Sequence, residues 1–453
     1  MKIKQRVTLV VIIVLGLFTC FYGCSKDKVQ ELEKEKLFTI PIGSEEEEIG
    51  VVKENNGRFL GPSSALFKNG FFYIVDPVNS KILKITTLGD VILVLSQGNE
   101  EENQEENILR TKQRKYFNFN NIGKIAVDNE NNIYVEDKFI QKLPEKNEID
   151  LFNTESPFEQ ENGEMYVSYI LKFNRLGKFL CSIGKDGRNT EPFYYVYKTE
   201  VDKDGNLIVL TADDDWQNWT YYKFDLEGNL LFNSTTSTDK VFDIKDMGDT
   251  SFFVMDATPA CNDNHLIYWV SLYNTGYDTK NVKKEEDLWG EEIEIQDAEK
   301  LKDIEEKGKK YYSRDLLHYK LLYYNLESNE VTRSYKWENH LGDAFEPTEE
   351  FFGIDGEMNS FLWKYLNNTK AIISIIRPNG ALITRRSFVF EDNGLWTNIQ
   401  VAIDGSVSAL KIDNELLHFY RWRSDKLITN KREKVTLKEF FKDKIQEFKN
   451  ANR

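Results

Sequence analysis

A chain of 453 residues with 40% apolar and 13% aromatic side chains, 22 Tyr and 30 Phe among them, has ample material for a core and a bias toward pleated, half-buried surfaces. Its formal charge of −16 excludes a general binder of phosphate backbones, whose affinity rests on clustered Lys and Arg. No nucleic-acid partner is expected, and length alone does not fix the domain count because closed all-β architectures run long as one unit.

The first 24 residues read as an address. Lys2, Lys4 and Arg6 form a basic start, VTLVVIIVLGLF an apolar stretch, and TCFYGC ends on Gly23-Cys24 before the polar SKDK. The apolar run from Val7 to Gly23 is at the short limit for a membrane span and is interrupted by Thr8 and Thr19. An uncleaved anchor and a plain cleaved secretory signal stand as alternatives, and both place the folded part outside the cytoplasm. The pattern resembles the signal of bacterial lipoproteins, in the looser form of the spirochaetes, with Phe21 where Leu is usual. That resemblance implies cleavage after residue 23, acylation of Cys24, and a membrane partner held through the N-terminal lipid in the cell envelope, on the inner or outer membrane. Residues 24–35 then read as a linker.

From residue 36 the chain is a succession of strands. KLFTIPI, residues 36–42, is placed to add a strand to the last unit and close a ring. ALFKNGFFYIVD turns at Asn69-Gly70 and is followed by ILKITTLGDVILVLS; GKIAVDNENNIYVED turns near Asn131-Asn132 and is followed by ILKFNRLGKFLCSIG; KTEVDKDGNLIVLTAD turns at Asp204-Gly205 and is followed by YYKFDLEGNLLF. Asn and Gly tolerate the positive φ that two-residue hairpins demand. Each follower carries a Lys five residues before its turn Gly: Lys84/Gly89, Lys172/Gly177 and Lys223/Gly228.

Three weaker copies complete six four-stranded units. FDIKDMGDTSFFVMD, expected to turn at Gly248-Asp249, is answered by LLYYNLESNEVTRSY; FFGIDGEMNSFLWKY by AIISIIRPNGALITRRSF; NIQVAIDGSVSALKI by LLHFYRWRSDKLI. Uninterrupted turns recur every 44 to 51 residues, as from Gly205 to Asp249 or Gly177 to Gly228. The expected fold is all-β, a six-bladed β-propeller over 36–430. Residues 60–235 resemble NHL repeats, with Val-Asp, a Gly or Asn turn, Ile-Tyr-Val-x-Asp and an Ile-x-Lys-Phe strand.

Insertions are expected at 98–121 between units one and two, at 141–166 inside unit two, and at 275–310 inside unit four, the last helical in part. TLKEFFKDKIQEFKNANR, within 431–453, has helical spacing at Leu437, Phe440, Phe441, Ile445 and Phe448. Long loops on a rigid scaffold suit binding, although charged runs also serve as solvated connections.

Motifs for chemistry are sparse. DKDGN at 202–206 resembles the start of a calcium loop but lacks its closing acid and falls on a repeat hairpin, so it reads as a turn. His265, His318, His340 and His418 have no metal spacing, and Cys181 and Cys261 allow one disulfide or two buried free thiols. There is no GxSxG, Walker loop or HExxH, so no catalytic residue is assigned.

The second strands of units one to four are expected to end in Asp76, Asp137, Asp213 and Asp256, with Lys364 and Lys411 equivalent in units five and six. They suit either a channel-mouth binding site or loop capping. Asp213 with Trp216 and Trp219 forms a patch suited to sugar, cation or capping. The leading expectation is a non-catalytic, cofactor-free binding or scaffold module for a protein, peptide or glycan. The alternative is a propeller hydrolase or lyase with a divalent cation such as calcium in its channel.

Overall fold

The computed structural model describes residues 30–54, 59–99, 112–142, 164–188, 190–213, 216–241, 250–261, 263–274, 315–337, 350–367, 369–390, 395–413 and 415–424. Six antiparallel sheets of four core strands follow one another along the chain. Blade 1 comprises Ser64–Lys68, Phe71–Asp76, Lys81–Thr86 and Val91–Gln97; blade 2 Ile122–Val127, Ile133–Lys142, Glu164–Phe173 and Phe179–Gly184; blade 3 Val196–Val201, Leu207–Ala212, Asn218–Phe224 and Leu230–Ser237. Blade 4 comprises Thr250–Pro259, His265–Asn274, Asp315–Asn325 and Glu330–Trp337; blade 5 Glu350–Ile354, Ser360–Asn367, Lys370–Ile376 and Leu382–Val389. Blade 6 takes Leu395–Val401, Val407–Ile412 and Leu416–Trp422 from the end of the described chain and its outer strand, Glu35–Pro41, from the beginning.

The first strands sit innermost. Going round, the first strand of each blade lies against that of the next, except that in the step from blade 3 to blade 4 the second strand of blade 3 makes the approach; the last step returns from blade 6 to blade 1. Asn398 Nδ2 donates to Pro62 O across that closing step at 2.9 Å. The ring is therefore closed, and the molecule is a six-bladed β-propeller.

Closure follows from the burial each sheet requires. Phe71–Asp76 and Val407–Ile412 are buried along nearly their whole length, on both faces. Such strands have no face to give to water, so each blade must be covered on two sides. Six apolar clusters result, one in each seam between neighbouring blades. The N-terminal strand KLFTIPI covers what would otherwise be the open edge of blade 6, as its placement predicted.

The repeated Lys-to-Gly phrase is a seam device. Gly89, Gly177 and Gly228 have φ of 94°, 81° and 86°, the left-handed conformation that Gly adopts most readily. A Cβ on Gly177 would meet Leu93 Cδ1 of blade 1 at 2.9 Å, and one on Gly228 would meet Ile183 Cγ1 of blade 2 at 3.0 Å. Each turn thus nests on the preceding blade. Lys172 of blade 2 passes 5.0 Å over the Tyr134 ring and donates to Leu226 O in the corresponding turn of blade 3.

Three local expectations change. In blade 4 the first hairpin joins Thr250–Pro259 to His265–Asn274, so SFFVMD belongs to the first strand rather than the second. HLIYWVSLYN is the more continuous apolar run and takes the doubly covered second position. In the expected linker, Gln30–Glu31 adds a parallel strand to the rim of blade 5. In the expected insertion 98–121, Gln113–Phe117 adds a parallel strand to blade 1. The insertion at 141–166 begins and ends as an extension of the blade 2 hairpin to Lys142 and from Glu164; residues 143–163, 275–314 and 425–453, with the expected helices, lie outside the described residues, as do 1–29 with Cys24. Cys181 and Cys261 are both buried free thiols, and burial pushes that of Cys261 up to about 12.

Candidate binding site on the inner ring

Asp76, Asp137 and Asp213 each turn onto a nearby loop. Asp76 ends the second strand of blade 1, where its oxygens accept from Gly50 N–H at 2.8 Å and from Asn79 N–H and Nδ2 at 3.2 and 2.8 Å. Asp137 accepts from the N–H groups of Asn120 and Asn121 at 2.9 and 2.8 Å and from Asn120 Nδ2 at 2.8 Å. Burial raises the pKa of both, and these donors oppose the rise. Asp213 accepts from Asn218 N–H at 3.0 Å, and its own carbonyl accepts from Trp216 N–H at 3.3 Å. DKDGN behaves as a turn: Asp202 accepts from the N–H groups of Asp204 and Asn206 at 2.9 and 2.8 Å and pairs with Lys223 Nζ at 2.7 Å.

Asp256 stands apart. The revised blade 4 puts it on the innermost strand, across from Trp269. Lys364 and Lys411 lie buried on the second strands of blades 5 and 6, opposite Ile372 and His418 respectively. Among the described residues no hydrogen bond joins any of Asp76, Asp137, Asp213 and Asp256 to another. No group of three or more His, Cys, Asp or Glu placed to hold a metal occurs among the described residues either.

What the inner ring does assemble is a charged and aromatic cluster between blades 3 and 4. Register breaks between Val196 and Lys198 and between Val254 and Asp256 interrupt the two inner strands. An extra residue in one strand re-aims the side chains beside it. Lys198 Nζ thereby reaches both oxygens of Asp256, at 2.8 and 2.9 Å, and Thr258 Oγ1 at 2.6 Å. Tyr197 donates its hydroxyl to Asp256 Oδ1 at 2.6 Å. Burial and the Asp256 charge raise the Tyr197 pKa, which keeps it a protonated donor.

Two further groups extend the cluster. Lys124 of blade 2 donates Nζ to Val196 O at 2.6 Å and lies 5.4 Å over the Tyr195 ring; desolvation lowers its pKa. Glu200, two residues beyond Lys198, has its pKa raised by burial, with Lys198 and Lys68 opposing.

Trp216 forms the outer end of this cluster. It is 39% exposed and has φ of 61°, a conformation a bulky residue adopts only when its surroundings hold it. The Asp213 turn fixes its backbone. Its ring meets Tyr197 at 5.3 Å and 87°, Tyr195 at 6.0 Å and 72°, and the buried Trp219 at 5.6 Å. On the blade 4 inner strand, Phe253 and Met255 are 60% and 44% exposed. The arrangement is a supported aromatic surface bordered by fixed donors and acceptors. It suits recognition more than proton transfer, because Tyr197 and Asp256 already hold each other.

The sequence reading pointed to Asp213, Trp216 and Asp256 but missed Lys124, Tyr195, Tyr197, Lys198 and Glu200. The signal was the dense run YYVYKTE at the entry to a first strand, where side chains border the axis.

No protein-family model matches the chain, and no curated protein matches it. Solved structures similar to it include a protein of unknown function from Dyadobacter fermentans DSM 18053 (10% identity, 86% of this chain and 99% of that one, TM-score 0.40). The Dos1 propeller (9%, 86% and 95%, 0.33) and a streptogramin B lyase (8%, 86% and 92%, 0.34) are also similar. At these scores the likenesses carry no argument; the fold rests on the strand order and the closed ring.

Proposed function

We propose that this chain is a lipid-anchored propeller of a bacterial cell envelope that binds a glycan on the inner ring between blades 3 and 4 without catalysing a reaction. The observation that carries the reading is Trp216, an exposed ring held in a left-handed backbone by Tyr195, Tyr197 and the Asp213 turn. Strain of this kind needs a purpose or a compensating contact. A flat aromatic face bordered by Lys198, Asp256 and Thr258 suits a sugar ring, whose apolar face stacks while its hydroxyls exchange hydrogen bonds.

Phe253 and Met255 favour a second reading, in which a protein or peptide docks by apolar side chains. The metal-dependent hydrolase or lyase alternative has less support, since Asp76, Asp137 and Asp202 direct their oxygens to loop donors. The address at Cys24 supports the envelope location and the membrane partner.

Titration with oligosaccharides released from native envelope tests the reading. Trp216→Ala is expected to weaken binding tenfold or more, roughly 1.4 kcal/mol. Equal affinity of wild type and variant would remove Trp216 from the site, and binding of envelope peptides alone would select the second reading.

A further inference from the structure

The point where the N-terminal segment joins the ring also sets which side of the propeller faces a bilayer. Gln30 and Glu31 run parallel to the outer strand of blade 5, opposite Arg386 and Ser387. Leu32 N–H donates to Ser387 O at 2.9 Å, and the Leu32 side chain is buried in the seam of blades 5 and 6. Lys34 lies over Trp396 and Tyr420 at 5.6 and 5.3 Å, and Glu35 pairs with Arg421 at 3.0 Å. The chain is therefore fixed to the rim from Gln30 onward.

Five residues separate Gln30 from Cys24. Six Cα steps span at most about 20 Å. Because the pairing with Leu382–Val389 is parallel, the chain enters Gln30 from the Leu382 end of that strand. That end adjoins the turn at Asn379-Gly380 between the third and fourth strands of blade 5. In an antiparallel four-stranded sheet the turns after the first and third strands lie at one end, and those after the second at the other. The tether thus approaches from the face that carries the short hairpin turns. The opposite face carries the ends at which the second strands of the blades stop, Lys142 and Asn274 among them, and the turn that holds Trp216.

The short-turn face also offers apolar tips. Leu88, 83% exposed, stands in the outer turn of blade 1, Leu226 in that of blade 3, Ile403 in the inner turn of blade 6, and Leu382 follows the outer turn of blade 5. Isolated exposed leucines need no explanation. Exposed apolar residues stand on the opposite face too, Val78, Ile140 and Leu366 among them, so the approach of the tether selects the side and these tips are what it would bring to a lipid surface.

We propose that the short-turn face of the propeller rests on the membrane and the opposite face, with Trp216, is turned away from it. The inference depends on acylation of Cys24. It deepens the functional reading by giving the binding site open access from outside the membrane plane.

The test uses the mature acylated protein, beginning at Cys24, on vesicles of zwitterionic phospholipid with brominated acyl chains. A fluorescent maleimide is placed on Leu88→Cys, Leu226→Cys or Val78→Cys. Val78 lies in blade 1 like Leu88 but in the loop after the second strand, on the opposite face. Cys181 and Cys261 stay unlabelled because both are buried. Quenching several-fold stronger at Leu88 and Leu226 than at Val78 is expected. Equal quenching, or stronger quenching at Val78, overturns the orientation. Flotation with the vesicles is scored beside it. Loss of flotation in Cys24→Ala supports the anchor, whereas a wild type that does not float, or a Cys24→Ala protein that still does, overturns the anchor reading and the orientation together.

Discussion

Blades 1 to 3 and blades 4 to 6 close the same ring by different means. In the first three, lysines lie over tyrosines in the seams, as with Lys84 on Tyr73 at 5.3 Å and Lys172 on Tyr134 at 5.0 Å, while Asp-capped hairpins recur in both halves, as at Asp128, Asp202 and Asp355. In the last three the seams rely on large aromatics. Trp269 stacks on Tyr319 at 4.8 Å, and Phe388, Trp396, Trp422 and Tyr420 form a continuous group between blades 5 and 6. The indole N–H groups of Trp269 and Trp422 have no partner among the described residues. A polar device demands a particular residue at a particular place, whereas volume can be supplied by many. That difference explains why the sequence repeat is clear in the first half and blurred in the second while the blades remain alike.

Glycine substitutions test the seam contacts most severely. Gly177 and Gly70 share φ of 81°, but a Cβ on Gly70 meets nothing within 4 Å while one on Gly177 meets Leu93 at 2.9 Å and Lys115 at 3.2 Å. Both Ala variants bear the backbone strain, about 1 kcal/mol. Gly177→Ala adds overpacking of about 1–3 kcal/mol. Gly380→Ala, in blade 5, is expected between the two, because its obstacle is the half-buried ring of Tyr335 at 2.4 Å. Urea unfolding of the three variants gives the order, and equal losses would mean that the outer turns do not lock the seams.

The Asp-capped turns give an effect of intermediate size and opposite pH signs. Lys223 and the Asn206 donors hold Asp202 below its usual range, whereas burial holds Asp355 above it. At neutral pH Asp202→Asn is expected to cost about 2 kcal/mol and Asp355→Asn about 1. A depressed carboxylate stabilises above its unfolded value near 4 and loses that contribution as pH falls through its folded value. The difference between wild type and Asp202→Asn should therefore shrink below about pH 4. For Asp355 the folded form binds its proton first, so the wild type should gain on its variant as pH falls toward about 4. Melting temperatures from pH 7 to 3 decide the signs, and parallel trends would show that Lys223 does not distinguish the two turns.

Much of this architecture was legible because hairpin chemistry is local. Asn69-Gly70, Gly177 and Gly228 announce positive φ without knowledge of their neighbours. The first hairpin of blade 4 was misread because a Gly-Asp pair at 248–249 outweighed the apolar run His265–Asn274. The added strands Gln30–Glu31 and Gln113–Phe117 were illegible because what recruits them is the exposed edge of another strand, not a pattern of their own. At the candidate site, Asp213 and Trp216 could be noticed as neighbours in sequence. The meeting of Lys198 with Asp256 depends on irregularities in two strands from different blades, and no spacing in the chain records it.

The smallest expected effect concerns the recurring lysine itself. Lys84 is buried over Phe71 and Tyr73, and desolvation, helped by Arg175, pushes its ammonium down to about 8. A base whose folded pKa lies below its unfolded value near 10.4 makes stability rise with pH across that interval, because the unfolded chain binds the extra proton. Lys84→Met keeps the stem volume and removes the charge. It is expected to raise stability by about 1 kcal/mol at pH 7, the relief of desolvation exceeding a cation–π contact of about 0.5–1 kcal/mol. By pH 9.5 the wild-type amine is largely neutral and the advantage should vanish. Denaturant midpoints at the two pH values measure both quantities. A variant less stable than wild type at pH 7 would show that the seam lysine acts as a cation bound by its two rings, and the polar devices of blades 1 to 3 would then be sources of stability as well as of register.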